Sequence, residues 1–324
     1  MNASNKKILL TGNEAIAQAA IDGGCDFYAG YPITPQNELT AYMAKEMPCA
    51  GRIFLQAESE LSAVSMIMGA ASGGKRVMTS SSSPGISLKQ EGISYLAGAE
   101  LPALIVNVMR GGPGLGNIAP AQSDYFQAVK GGGHGDYHCI VLAPASVQES
   151  YHLVLLGFEL ADKYRTPLMI LSDGMLGQMA EPVIVSANRQ PPTANREPNT
   201  WALTGCRGRR PNIVKSFFMR NEELEGHNKK LQEKYTRIRQ NEQRAEQLYL
   251  DDAEVVLVAY GSMARICRGI VCSLRKQGRK AGLIRPISLW PFPQRIFDEL
   301  LEKRKPRFLV VEMSYGQMVE DVRL

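Results

Sequence analysis

Asp26-Phe27-Tyr28-Ala29-Gly30-Tyr31-Pro32-Ile33-Thr34-Pro35 is a short apolar run that breaks into a Gly- and Pro-marked turn just before a segment of helical period. A run of that length, closed by turn residues, reads as a buried strand feeding a helix. The unit recurs downstream, with candidate strands at Arg52–Gln56, Arg76–Ser80, Ala103–Val108, Cys139–Leu142 and Leu168–Leu171 separated by helical segments. The helix expected over Val147–Tyr164 has a start signal in Ser146 and Glu149, spaced as a capping box. Strands alternating with helices predict an α/β fold built on a doubly wound parallel sheet.

Past Val183 the character changes. A Pro-, Asn- and Arg-rich stretch that includes Arg189-Gln190-Pro191-Pro192-Thr193 precedes a charged segment, Asn221–Leu248, with Glu and Lys or Arg near i,i+4 spacing, which predicts an exposed helix. A second α/β pattern follows: strand 254–259, turn Gly261-Ser262, a helix to Gln277, strand 281–284, helix 294–303 and strand 307–311. This divides the chain into residues 1–185, a charged connector over 186–250, and a second α/β unit over 251–324. Gly316-Gln317-Met318 opens another helix shortly before Leu324, as expected of a chain cut short.

Composition narrows the class. Hydrophobic residues make up 44% and charged residues 21% of the 324, which fits a globular protein. The longest apolar runs, such as Leu101–Met109, fall far short of the roughly 20 residues of a membrane-spanning helix. The polar start, Met1–Lys7, lacks the form of a signal peptide, so a cytoplasmic protein is expected. The net charge of +5 resides largely between Arg189 and Arg244, at Arg207, Arg209, Arg210, Lys229, Lys230, Arg237 and Arg239. No recognition helix or aromatic-studded sheet accompanies it, so a nucleic-acid partner is not expected. The six cysteines show no C-x-x-C, and neither an iron–sulfur cluster nor structural zinc is expected on this chain.

Ligands of open α/β sheets bind beyond the carboxyl ends of strands, which places Tyr31–Thr34 at a site. Thr34-Pro35 reads on its own first as N-cap and first helical residue, with a hydroxyl and amides able to hold a carboxylate as the alternative. Gln56-Ala57-Glu58-Ser59-Glu60 ends the next strand. Glu58 suits the positive end of a helix dipole. Glu60 precedes a helix rich in small residues, where a partly desolvated carboxyl can donate or share a proton. Two Gly- or Ser-rich loops, Thr79–Gly85 and Arg110–Gly116, match neither nucleotide fingerprint. Arg110 could grip a carboxylate in two-point fashion or make an ordinary ion pair. His134, Asp136 and His138 lie in a Gly-rich loop unsuited to preorganising a metal. Asp173-Gly174, with Asn199 further on, matches half of the Gly-Asp-Gly…Asn diphosphate motif, but Ser172 replaces the first glycine.

Taken together, Tyr31–Pro35, Gln56–Glu60, Ser80–Leu88, Glu91–Pro102, Arg110–Pro113, Asp173–Gln178, Ile284–Pro293 and Glu312-Met313 resemble the alpha subunits of 2-oxoacid:ferredoxin oxidoreductases. The resemblance implies a thiamine-diphosphate-binding fold of the pyrimidine type for the first domain and a transketolase C-terminal-like α/β domain for the last. It implies that Glu60 hydrogen-bonds the aminopyrimidine ring of thiamine diphosphate, that Thr34 lies at the substrate and that Arg110 lies on its carboxylate. Tyr31, Pro32, Ile33, Ser83 and Pro84 would line the cofactor. It further implies a beta subunit with the diphosphate and Mg2+ site, gamma or ferredoxin-like delta subunits with iron–sulfur clusters, coenzyme A as co-substrate and ferredoxin as acceptor. Ser80–Pro84, Pro113–Gly116 and Lys130–Tyr137 look closest to the branched-chain type acting on 3-methyl-2-oxobutanoate. The 2-oxoglutarate type is the near alternative, and a non-catalytic scaffold subunit the alternative of another class.

Overall fold

A computed structural model describes residues 6–185 and 199–324, so the Pro-rich stretch of the connector at Arg189–Thr193 lies outside the described residues. The first half runs β1 (Lys6–Thr11), α1 (Gly12–Asp22), β2 (Phe27–Gly30), α2 (Asn37–Cys49), β3 (Ile53–Gln56), α3 (Glu60–Ser72), β4 (Val77–Ser81) and α4 (Ser83–Gly98). It continues with β5 (Ala103–Met109), α5 (Tyr125–Val129), β6 (Ile140–Leu142), α6 (Val147–Tyr164), β7 (Pro167–Asp173), α7 (Gly174–Gln178) and β8 (Ala180–Val185). The rest comprises α8 (Asn221–Asn241), β9 (Ala245–Leu248), β10 (Val255–Val258), α9 (Gly261–Lys276), β11 (Ala281–Pro286), β12 (Ser288–Trp290), α10 (Gln294–Lys303), β13 (Arg307–Val310) and α11 (Met318–Arg323).

Seven strands form one sheet in the order β12-β6-β7-β5-β4-β2-β3, parallel except for β12 against β6. Its central strands β5 and β4 are buried along their whole length, which is why they read as continuous apolar or small-residue runs. From β2 the chain first steps outward to β3 and then returns to place β4 on the other side of β2. The winding reverses there, and the crevice at the carboxyl ends of β2 and β4 is where such a sheet takes a ligand.

A smaller sheet runs β13-β10-β11-β9, with β9 antiparallel, and β1 pairs with β8 in a two-stranded ladder from Lys6↔Val185 to Thr11↔Ala180. Four strands are thus added to those expected. β12 follows β11 in the chain yet completes the first sheet, and β9 from the charged stretch completes the second. Their pairing depends on partners remote in sequence.

Thr11 begins α1 with a full capping box to Glu14. At α6 only one arm of the expected box forms: Ser146 Oγ accepts from Glu149 N at 3.1 Å. The Glu149 carboxylate instead accepts from Ala145 N at 2.8 Å and from both Arg285 Nη atoms at 2.9 and 2.8 Å. A guanidinium in two-point contact competes better for it than a single amide.

The expected exposed helix forms as α8, with Arg237 and Arg239 exposed and a Glu225–Lys229 pair at 2.6 Å. One face is buried, however. Lys234 donates to Glu100 Oε1 and to the Arg165 carbonyl, both at 3.1 Å, while Lys230 also bonds Glu100. Glu100 and Arg165 both adopt left-handed backbone conformations, φ 52° and 47°.

The smaller sheet is locked to the larger at several points. Buried Gln122 exchanges hydrogen bonds with Met313 and donates to the Tyr260 carbonyl at 3.0 Å. Asp173 Oδ1 caps α7, and its Oδ2 accepts from Ser262 Oγ at 2.7 Å at the start of α9. Asn199 bonds the Gly74 carbonyl instead. Asp173 therefore works as a joint between the sheets. His138 likewise is a packing residue: its ring stacks on Trp290 at 4.5 Å, and burial, with Arg239 adding to it, brings the imidazole down to about 4. Among the described residues no helix is long and apolar enough to cross a membrane.

Candidate active site

Four strand ends build the crevice. β2 delivers Tyr31–Gln36, β3 delivers Glu60 at the first position of α3, β4 delivers Ser81–Gly85, and β5 delivers Arg110.

The Tyr31–Gln36 turn is fixed from several sides. Gln36 N donates to the Ile33 carbonyl at 3.1 Å, and Asn13 Nδ2 to the Pro35 carbonyl at 2.8 Å. The Gln36 side chain joins a buried polar knot, accepting from Ser80 Oγ at 2.7 Å and Thr40 Oγ1 at 3.1 Å, while Tyr28 OH lies 2.6 Å from Ser80 Oγ. The helix starts at Asn37 with Gln36 as its N-cap, so the expectation that Thr34 caps it with Pro35 in the first turn is overturned. Carbonyls 34 and 35 are held by Arg110 and Asn13, which keeps this stretch out of the helix. Thr34 is half-buried, and its hydroxyl accepts from Asn37 Nδ2 at 3.2 Å. Tyr31 and Pro32 are exposed, and Ile33 is half-buried.

Arg110 is 6% exposed. Nη1 donates to the Thr34 carbonyl at 2.9 Å and Nη2 to the Leu115 carbonyl at 3.0 Å, while Nε has no partner. No carboxylate of the described residues pairs with it. Burying a guanidinium with neutral carbonyls as partners is costly unless the charge is compensated.

Glu60, also 6% exposed, is the first residue of α3, and Ser59 caps that helix through Ser62 N. Its carboxylate lies over the first turn of α4: an added Cβ on Gly85 would fall 2.5 Å from Glu60 Oε1 and 2.0 Å from Ser81 Oγ. Only a glycine leaves that room. The Ser81 and Ser82 hydroxyls, fully buried at the same strand end, have no partner among the described residues. Glu58 points to solvent and is lowered by its hydrogen bond from Ser62.

Ser83 is committed differently. Its hydroxyl donates to Asp124 Oδ2 at 2.6 Å and accepts from Arg110 N at 3.0 Å, stitching α4 to the end of β5. Burial raises the Asp124 carboxyl, against the hydrogen bonds from Ser83 and Asn107. Ser83 and Pro84 line a cavity of about 740 Å³ together with the Gly111–Gly114 loop, Asp124, Glu312 and Tyr315.

The structure thus sets Thr34, Glu60 and Arg110 at neighbouring strand ends, with Arg110 bonded to Thr34 and Glu60 over Gly85. It adds Ser81, Ser82, Asp124 and Lys89, which the sequence reading did not single out. Lys89 carried a signal, since it shares the buried phase of α4 with Ile86 and Ile93.

Residues present here fit a heteroaromatic cofactor with a basic ring nitrogen: a buried carboxylate, unpartnered hydroxyls and a glycine cradle beside it. The comparisons agree. Residues 18–247 match the family described as pyruvate flavodoxin/ferredoxin oxidoreductase, thiamine diP-bdg, and residues 253–324 match pyruvate:ferredoxin oxidoreductase core domain II. The chain is 54% identical to ketoisovalerate oxidoreductase subunit VorB of Methanothermobacter thermautotrophicus, over 98% of this chain and 89% of that one. It is 37% identical to 2-oxoglutarate synthase subunit KorA of Archaeoglobus fulgidus, over 97% and 90%. Among solved structures it resembles 2-oxoglutarate:ferredoxin oxidoreductase from Magnetococcus marinus with 2-oxoglutarate, coenzyme A and succinyl-CoA bound. The TM-score is 0.85 at 28% identity, covering 98% of this chain and 60% of that one. A split gene transketolase shares the fold at TM-score 0.54 and 13% identity. The fold, the crevice and these matches together establish that the chain belongs to the 2-oxoacid:ferredoxin oxidoreductase family, as a subunit of the alpha type.

Proposed function

We propose that this chain supplies the substrate-gripping and cofactor-activating half of a thiamine diphosphate site, in a multi-subunit enzyme that oxidatively decarboxylates a branched-chain 2-oxo acid. The overall reaction converts the 2-oxo acid and coenzyme A to acyl-CoA and CO2, with the electrons passing to ferredoxin. The observation that carries the reading is Arg110, a buried guanidinium beside Thr34 that pairs with no carboxylate of the described residues.

When bound, thiamine diphosphate supplies the nucleophilic carbon and the electron sink. Arg110, with Nε uncommitted, binds the substrate carboxylate and orients it for loss of CO2. Thr34 donates its hydroxyl hydrogen to the substrate. Glu60 holds or shares a proton at the pyrimidine ring nitrogen, and its burial strengthens that hydrogen bond by excluding water. Tyr31, Pro32, Ile33 and Pro84 form the walls.

Support for 3-methyl-2-oxobutanoate as substrate comes from the VorB relative, 54% identical over 98% of this chain, against 37% for a KorA relative.

The partners proposed are a beta subunit holding the diphosphate and Mg2+, gamma or delta subunits with iron–sulfur clusters, and ferredoxin. α3, α4 and the edge strand β3 leave Ile53, Leu55, Leu61, Leu88 and Tyr95 exposed beside Glu60, which suits a covering subunit.

The deciding experiment measures kcat/KM for 3-methyl-2-oxobutanoate and for 2-oxoglutarate in the assembled complex, with ferredoxin or viologen as acceptor. The branched acid should be preferred, and a preference for 2-oxoglutarate overturns the substrate choice. In the same complex Glu60→Gln should lose turnover by about 10²-fold or more. Undiminished turnover removes the role given to Glu60.

A further inference from the structure

We infer that Lys89 is a positioning residue for Glu60: it fixes the main chain at the start of α3 and so holds the Glu60 carboxylate where a cofactor ring docks on it. The inference rests on the reading of Glu60 given above.

Lys89 is 0% exposed, on the face of α4 that Ile86 and Ile93 turn to the core. Its Nζ donates to Thr79 Oγ1 at 3.0 Å and to the Glu60 carbonyl at 3.4 Å. No carboxylate of the described residues lies within ion-pair distance of it. Burying an ammonium with neutral partners alone is costly, and a methionine would fill the same volume without that cost.

Two features of α4 converge on Glu60. Gly85 and Lys89 stand one turn apart on α4, so the helix offers an open cradle to the Glu60 carboxylate and an ammonium to its main chain. Burial pushes the amine down to about 8, and the Glu60 carboxylate opposes that push. The other charged groups on these elements face away. Glu58 bonds Ser62 at the surface of α3, and Glu91 accepts from Tyr95 OH at 2.6 Å on the exposed side of α4. β4 contributes only the hydroxyls of Thr79 and Ser81.

The test compares wild type, Lys89→Met and Lys89→Arg in the assembled complex. Lys89→Met should lower kcat near neutral pH by about tenfold or more, because a small displacement of a reacting group is expensive. KM for the 2-oxo acid should stay within about twofold, since Arg110 and Thr34 are untouched. Lys89→Arg, which can still donate to the Glu60 carbonyl and to Thr79, should keep kcat within about threefold of wild type. Calorimetry of thiamine diphosphate binding gives a readout apart from turnover. Binding should weaken by about tenfold in Lys89→Met, as a displaced Glu60 loses its hydrogen bond to the ring, and stay near the wild-type value in Lys89→Arg.

Unchanged kcat and unchanged thiamine diphosphate affinity in an assembled Lys89→Met complex overturn the inference, as does a Lys89→Arg variant that matches Lys89→Met in both. If Lys89→Met does not assemble, Lys89→Arg alone decides, and a loss of kcat and of cofactor affinity in it counts against the inference. The reading of Glu60 fails separately. An inactive Glu60→Gln beside a Lys89→Met variant of wild-type behaviour sinks only the role of Lys89, whereas an active Glu60→Gln sinks both.

Discussion

Arg110 donates from Nη1 to the main-chain carbonyl of Thr34 at 2.9 Å, so the end of β5 holds the turn after β2 across the intervening strand β4. The bond couples the two residues assigned to the substrate. It also orients the guanidinium while leaving Nε uncommitted.

Arg110→Lys should therefore weaken substrate binding even though the charge is kept. A lysine cannot hold both carbonyls and still offer a planar donor pair. Hydrogen bonds to charged groups contribute about 1.5–3 kcal/mol, so KM for the 2-oxo acid should rise by about tenfold or more. Steady-state kinetics of the complex check this, and an unaltered KM places the substrate carboxylate elsewhere.

Gly85→Ala probes the cradle under Glu60. The added methyl would fall within 2.5 Å of Glu60 Oε1 and 2.0 Å of Ser81 Oγ, so the carboxylate, on the more flexible side chain, must move. Alanine is the better helix former by about 1 kcal/mol, and the fold should survive. The expected result is a near-native melting temperature with kcat reduced by about 10²-fold. A fully active variant would show that the Glu60 carboxylate need not stay where it lies.

Glu100 anchors α8 through Lys230 and Lys234, and its titration predicts a pH window. Burial alone would raise the carboxyl, but hydrogen bonds and charge from the two lysines outweigh it and bring it down to about 2. A folded value depressed below the ordinary 4.5 means stability fully present above that ordinary value and lost as pH falls towards about 2. Glu100→Gln should melt lower than wild type at neutral pH and change less with acidification between about 4.5 and 2. Melting temperature against pH checks both. Parallel wild-type and variant curves across that window overturn the assignment.

Legibility differed by element for physical reasons. β2, β4, β5 and β7 could be read because a strand buried on both faces must be apolar or small throughout, and nothing outside the strand changes that requirement. β12 and β9 could not, since each takes its place from a distant partner: Ser288 faces Leu142, and Leu248 faces Leu283. Thr34-Pro35 carries a sound local capping signal, overridden by Arg110 and Asn13, which claim the carbonyls of that turn. Asp173-Gly174 could be seen as half a motif, but its use as a cap and a latch to Ser262 depends on an element almost ninety residues away.

The sequence by itself determined the α/β class, and it marked Thr34, Glu60 and Arg110, at strand ends, as candidates. Apolar periodicity and turn chemistry are local properties, and motif resemblance needs no coordinates. Only the tertiary structure decided that Arg110 is buried with no carboxylate of the described residues paired to it, that Glu60 lies over Gly85, and that Lys89 bonds its main chain. Those facts turn on which groups meet after water is excluded. Burial then fixes whether a charge is a solvated surface group or a site, and burial belongs to the folded chain as a whole.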